Sequence, residues 1–193
     1  SAVPRYTGKN SLDLSDEEQQ QAESLRKGWK PALWTADQLG RTLLVLSLAE
    51  WGKEEFLDIL EKTFISSDMG EAVALYQSIA VLPYPEELQA RAAEGIRSNI
   101  TSAFNAVAQR NPYPADYMDE DAWNQVVLKA LFVGSSLYLI QGIDDRANET
   151  LARMLVDYAH ERWAAGRTVS PELLKPVVPF ATGENVDDLK NEL

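Results

Sequence analysis

Cysteine is absent from the chain, which removes disulfides, thiolate nucleophiles, iron-sulfur clusters and Cys-based zinc sites together. The same absence fits a reducing compartment, so a cytoplasmic location is expected. Histidine occurs once, and a Ser-His-Asp triad could therefore draw only on His160. Ser135-Ser136 follows Gly134 but lacks the second glycine of a nucleophile elbow. Neither G-x-G-x-x-G nor G-x-x-x-x-G-K-[ST] occurs, which excludes nucleotide binding of those two kinds. Basic charge is scarce: 18 Lys and Arg stand against 30 Asp and Glu, a net charge of -12 that repels a phosphate backbone, so nucleic acid is not an expected partner. No stretch approaches the roughly 20 apolar residues of a membrane-spanning helix, although peripheral membrane contact stays open. SAVPRYTGKN has no secretory apolar region, but with Ser at position 1 in place of Met this says little about targeting.

What is present describes a folded helical chain. A length of 193 residues suffices to bury a substantial core without staples. Hydrophobic residues at 45%, with five Trp and seven Tyr, exceed what a disordered chain carries. Residues 1–14 mix Pro, Gly, Asn and Ser and are expected to form a flexible arm. Ser15 with Glu18, and Thr35 with Gln38, fit capping boxes that open helices. Asp68 suits the cap of another, and further helices are expected over Glu54 to Ile65 and Ile100 to Gln109. The triplet Pro-Tyr-Pro at 83–85 recurs 29 residues later at 112–114, and each is expected to be a rigid break. In EDAWNQVVLKALFVG, Trp123, Val126, Val127, Ala130 and Leu131 share one helical face, with Gly134 as terminator. Leu128, Phe132 and Val133 widen the apolar stripe and suggest a central helix. From Asn148 to Ala165 only positions 153, 157, 160, 161 and 164 are left for solvent. Sustained period-2 alternation is missing. The expected fold is all-α, about nine helices in antiparallel pairs stacked as a HEAT-like superhelix. It comprises one helical domain over 15–180 and an acidic tail over 181–193.

Several residues invite a chemical reading, each beside a plainer one. His160 shares a polar helix face with Arg153, Asp157 and Glu161. It is either a surface imidazole among charges or, with Asp157, a contact for a ligand or a proton relay. Lys129 has the apolar helical neighbours Val126, Phe132 and Val133, so its stem packs on the core with the charge at the rim, or its cation holds an anionic ligand. Arg97 follows Glu94 by one turn and is explained by an ion pair. Arg97, Tyr113 and Asn124 are raised as ligand-binding candidates by their nearness to the two Pro-Tyr-Pro breaks. Two acidic clusters, Asp116 with Asp119, Glu120 and Asp121, and Asp144 with Asp145, resemble magnesium-binding runs. Both precede helices, where carboxylates cap N-H groups and complement the dipole for about 0.3–1 kcal/mol each.

The runs LPYPE at 82–86, AAEGIRSN at 92–99, NPYPADYMDEDAWNQVVLKALFVG at 111–134 and DDRANETLARMLVDYAHERWAAGR at 144–167 resemble the EboA family. The likeness covers roughly residues 80–180, while the first 79 match only in helical character. Membership implies a component of the ebo gene cluster, associated with trafficking of a secondary metabolite or precursor toward the cell envelope. Companion proteins of such clusters resemble enzymes, so chemistry is expected elsewhere, and the family carries no catalytic residues over to this chain.

The function expected is a non-enzymatic scaffold, binder or carrier, with no cofactor and no metal. Its expected partners are other ebo-cluster proteins or a small apolar or prenylated metabolite, and its expected ligand- or partner-binding residues are Arg97, Tyr113, Asn124, Lys129, Asp157 and His160. The rival expectation is a small magnesium-dependent all-α enzyme acting on an isoprenoid-like metabolite through the acidic clusters.

Overall fold

A computed structural model describes residues 2–180, so the acidic tail expected over 181–193 lies outside the described residues. Among those described, every named element is a helix, with one isolated bridge between Ser11 and Thr35 and no named strand. They divide into two compact units, one ending at Tyr117 and one beginning at Met118.

In the first unit, α1 (Val3–Thr7) occupies part of the stretch expected to be an arm. Pro4 sits in its first turn, and its Val3 and Thr7 side chains lie over Gly40. Helix α2 (Asp16–Leu25) opens with the Ser15–Glu18 box: Glu18 Oε2 accepts from the Ser15 N-H, and Ser15 Oγ from the Glu18 N-H. That bond to the Ser15 backbone holds the Glu18 carboxyl below its usual value. Helix α3 (Ala36–Ser47) follows Thr35, whose N-H donates to Gln38. Gly52 separates it from α4 (Lys53–Ser66) with a φ of 96°, a conformation an L side chain rarely adopts. Asp68 and Glu71 form the box that opens α5 (Met69–Ser78).

After the first Pro-Tyr-Pro triplet the chain makes one 3₁₀ turn, Pro85–Leu88, before α6 (Gln89–Arg97). A short link leads to α7 (Thr101–Ala108), which packs on both α5 and α6. Gly95 makes that packing close: a Cβ there would lie 2.6 Å from Val107 Cγ2 and 2.9 Å from Tyr76 Cε1. Of the second triplet only Pro112 lies outside a helix, because Tyr113–Tyr117 form a one-turn helix, α8. Phe56, Leu60, Leu75, Ile79, Leu88, Phe104 and Val107 are the buried apolar side chains of this unit's centre.

In the second unit, Asp119 accepts from the Ala122 N-H and opens α9 (Glu120–Val133), which ends on left-handed Gly134 at φ 72°. Trp123, Val126, Val127, Ala130 and Leu131 are buried as their spacing predicts. The widened stripe is a correction: Phe132 is 63% exposed and Val133 is exposed as well. At about 100° per residue Phe132 lies on the side of the helix away from Trp123, where it meets the edge of Tyr158. Helix α10 (Glu149–Ala164) packs on α9 and presents 153, 157, 160, 161 and 164 to solvent, the positions left by its two apolar rows. The chain then closes through Pro171–Leu173 into α11 (Leu174–Val177), which packs on α10. Glu172 latches this closure by accepting from the Ser136 hydroxyl and from the N-H groups of Leu137 and Tyr138.

Candidate ligand-binding clefts of the first unit

Buried polar atoms normally find partners, because an unpaired one costs about 1–3 kcal/mol. Among the described residues, the buried side-chain atoms without one are Arg26 Nε, Trp29 Nε1, Arg41 Nε and Gln77 Oε1. All belong to the first unit, and each of their residues lines a cleft.

The larger of these clefts, about 410 Å³, is walled by Leu39, Leu43, Leu46, Val81 and Leu82. Its apolar wall follows from the spacing of α3, whose positions 39, 43 and 46 fall on one face. Trp29 and Arg26 join the wall because Gly28, at φ 81°, turns the chain sharply after α2. Arg26 is held from two sides: it pairs with Asp116 at 2.7 Å, and its guanidinium lies 5.4 Å from the centre of the Tyr117 ring. Its Nε stays unpaired, as does the indole N-H of Trp29. The cleft is thus an apolar surface with two buried N-H donors and a fixed cation, an arrangement that favours a greasy molecule carrying an oxygen acceptor.

A second cleft, about 270 Å³, has the opposite character. Lys30, Gln77, Ser102, Asn105, Gln109 and Arg110 line it together with buried Trp34, Ala106 and Asn111. The two clefts are linked by a pair of indoles, since Trp29 and Trp34 meet edge to face at 5.7 Å.

Of the residues expected to bind, Tyr113 is fully buried behind the apolar cleft, and its hydroxyl donates to the carbonyl of Pro85, a lining residue. Burial raises the Tyr113 phenol above its ordinary value. The two Pro-Tyr-Pro triplets are therefore joined through this bond. Arg97 is exposed at the end of α6. In the second unit, Asn124 is buried and exchanges amide hydrogen bonds with Asn148, the cap of α10. Lys129 is half-buried, and desolvation holds its ammonium below the usual lysine range. Asp157 and His160 are exposed on α10, with the His160 ring 5.6 Å from that of Trp163. Tyr113 therefore supports a cleft of its own unit, whereas Arg97 lines none of those described above.

The acidic clusters have other partners. Asp116 holds Arg26, Asp119 caps α9, and Asp144 pairs with Lys175 at 2.9 Å. Among the described residues, no three His, Asp or Glu side chains are grouped as metal ligands.

Arg26, Trp29, Lys30, Gln77 and Arg110 were not singled out by sequence reasoning. The run Arg26-Lys27-Gly28-Trp29-Lys30, cations and an indole around a glycine at a helix end, was the available signal for three of them. Gln77 offers none, since a glutamine inside a helix reads as solvent-facing.

The architecture defines an all-α protein of packed helices whose first unit carries ligand-sized clefts. The chain belongs to the EboA family, described as metabolite traffic protein EboA, whose sequence profile matches residues 1–178. The match takes in the first half as well, where the residues alone gave only helical character. No curated protein and no solved structure matches the chain. Among the described residues no helix is long and apolar enough to cross a membrane.

Proposed function

We propose that the chain is a binder or carrier, not a catalyst, for a small apolar metabolite that seats in the cleft of Trp29, Leu43 and Tyr117. What carries the reading is the pair of buried, unpartnered N-H groups, Arg26 Nε and Trp29 Nε1, within an otherwise apolar wall. A hydrocarbon would fill the volume and leave those donors unpaired. A carbonyl or quinone oxygen fills it and satisfies one or both. The family's role in metabolite traffic agrees with a protein that holds and passes on such a molecule. In this reading the metabolite is handed to an ebo-cluster partner on its way toward the cell envelope. Solvent-facing Arg97, Asp157 and His160 belong to the surfaces that meet partners. Asn124 fixes the entry to α10 through its amide pair with Asn148.

The test compares naphthalene with 1,4-naphthoquinone, monitored by tryptophan fluorescence. The quinone is expected to bind more tightly, and Trp29→Phe to weaken it by roughly fivefold, about 1 kcal/mol for one lost hydrogen bond, with naphthalene unchanged. Leu43→Asp is expected to abolish both. Equal binding of the two probes, or quinone binding insensitive to both substitutions, refutes the reading.

A further inference from the structure

The polar cleft beside Trp34 is unusual in a chain this acidic. None of its lining residues is Asp or Glu, although the chain has 30 of them, and two of the lining residues, Lys30 and Arg110, are cations. Among the described residues neither cation is recorded in an ion pair, whereas Arg26, Arg41, Lys53, Lys62, Arg91 and Lys175 each are. A positive recess on a negative protein concentrates small anions locally.

Arg110 has a φ of 54°, in the left-handed region, immediately after the residue that caps α7. That position ordinarily falls to glycine, because any side chain there is strained. The backbone is held in place by its neighbour: the Asn111 amide donates to the carbonyls of Ala106 and Tyr76, and its oxygen accepts from the Tyr113 N-H. These bonds tie the end of α7 to α5 beside Gln77. The turn would be served as well by glycine, so backbone geometry does not explain the arginine. Gln77 Oε1 is buried and unpartnered, and it requires a hydrogen-bond donor that an unprotonated oxyanion cannot supply. A hydroxyl can donate to that amide or accept from it, so it satisfies Gln77 in either orientation of the carboxamide.

We infer that this cleft is a second ligand site, for a compact oxyanion bearing a neighbouring hydroxyl, with Lys30 and Arg110 taking the charge and Gln77 the hydroxyl. It is a different site from the apolar cleft and stands or falls separately. Bidentate contact from a guanidinium suits either a carboxylate or a phosphate.

Calorimetry at neutral pH with glycerol 3-phosphate, glycerate and sulfate, an oxyanion with no proton to donate, tests it on the full chain. At least one of the two hydroxylated anions is expected to bind at least about tenfold more tightly than sulfate. Whichever it is names the oxyanion as phosphate or carboxylate. Arg110→Gly is expected to weaken all three anions at least about tenfold while the protein melts no lower than the parent, since glycine relaxes the turn. Gln77→Leu is expected to erase the advantage of the hydroxylated anions and leave sulfate as it was. The inference is overturned if no anion binds in the millimolar range, if sulfate matches both hydroxylated anions, or if Arg110→Gly leaves their affinities unchanged.

Discussion

Replacing Gly95 by alanine sets two magnitudes against each other, and the structure decides between them. Within a helix, alanine is favoured over glycine by up to about 1 kcal/mol. At Gly95, in the last turn of α6, the added methyl would meet Val107 Cγ2 at 2.6 Å and the Tyr76 ring at 2.9 and 3.0 Å. Both neighbours are buried, and both stand on helices packed against α6, so neither can withdraw as a flexible chain end could. Overpacking of this kind costs about 1–3 kcal/mol. The net expectation is destabilisation by about 1–2 kcal/mol, a fall of roughly 2–8 °C in melting temperature for a chain of this length. Gly40→Ala supplies the control, since its methyl meets Val3 and Thr7 at the longer distances of 3.1 and 3.2 Å, both on the one-turn helix α1, which has no buried residue. There the helical gain is expected to prevail, raising stability by about 0.5–1 kcal/mol. Urea unfolding followed by circular dichroism, with unchanged slope, reads both. If Gly95→Ala proved as stable as the parent, α6 would not approach α5 and α7 as closely as described.

Two further outcomes follow from buried polar groups. Because burial raises the Tyr113 phenol, its contribution to stability is complete below the unfolded value near 10 and is lost as pH rises from there toward the folded value. Tyr113→Phe should cost about 1–2 kcal/mol at neutral pH, through the unsatisfied Pro85 carbonyl, and should flatten the alkaline fall in melting temperature. A fall as steep as the parent's above pH 10 would show that other groups cause it. In the second unit, Asn124→Ala and Asn148→Ala should couple by about 1–2 kcal/mol in a double-mutant cycle, because each amide is the other's partner. Additive effects would mean that the pair is not formed.

The helices were legible wherever a capping pair and an apolar face agreed. Ser15 with Glu18, Asp68 as a cap, and Asn148 with the rows on α10 all mark real starts. Phe132 was misplaced because it was counted by hydrophobicity when its angle around α9 sets it apart from Trp123. The one-turn helices α1 and α8 carry too few residues to show a period, and Pro4 and Pro114 read as breakers when they occupy first turns. The clefts were less accessible still. Their walls combine residues from Leu25 to Tyr117, and what distinguishes Trp29 or Gln77 is the lack of a partner, a property of three-dimensional surroundings and not of residue type. Tyr113 stands out in the sequence for its nearness to the Pro-Tyr-Pro breaks as a ligand-binding candidate, and the structure gives it the bond that joins one triplet to the other.

The edge-to-face contact of Trp29 with Trp34 gives the protein an internal optical gauge. Two indoles 5.7 Å apart exchange excitation, so their near-ultraviolet circular dichroism depends on their mutual angle, 71° in this arrangement. One ring borders the apolar cleft and the other the polar cleft. A ligand that tilts either ring changes a signal belonging to both. On the two-site reading, occupancy of one cleft is thereby signalled at the wall of the other, and the unlabelled protein would report whether two ligands are held together or in turn.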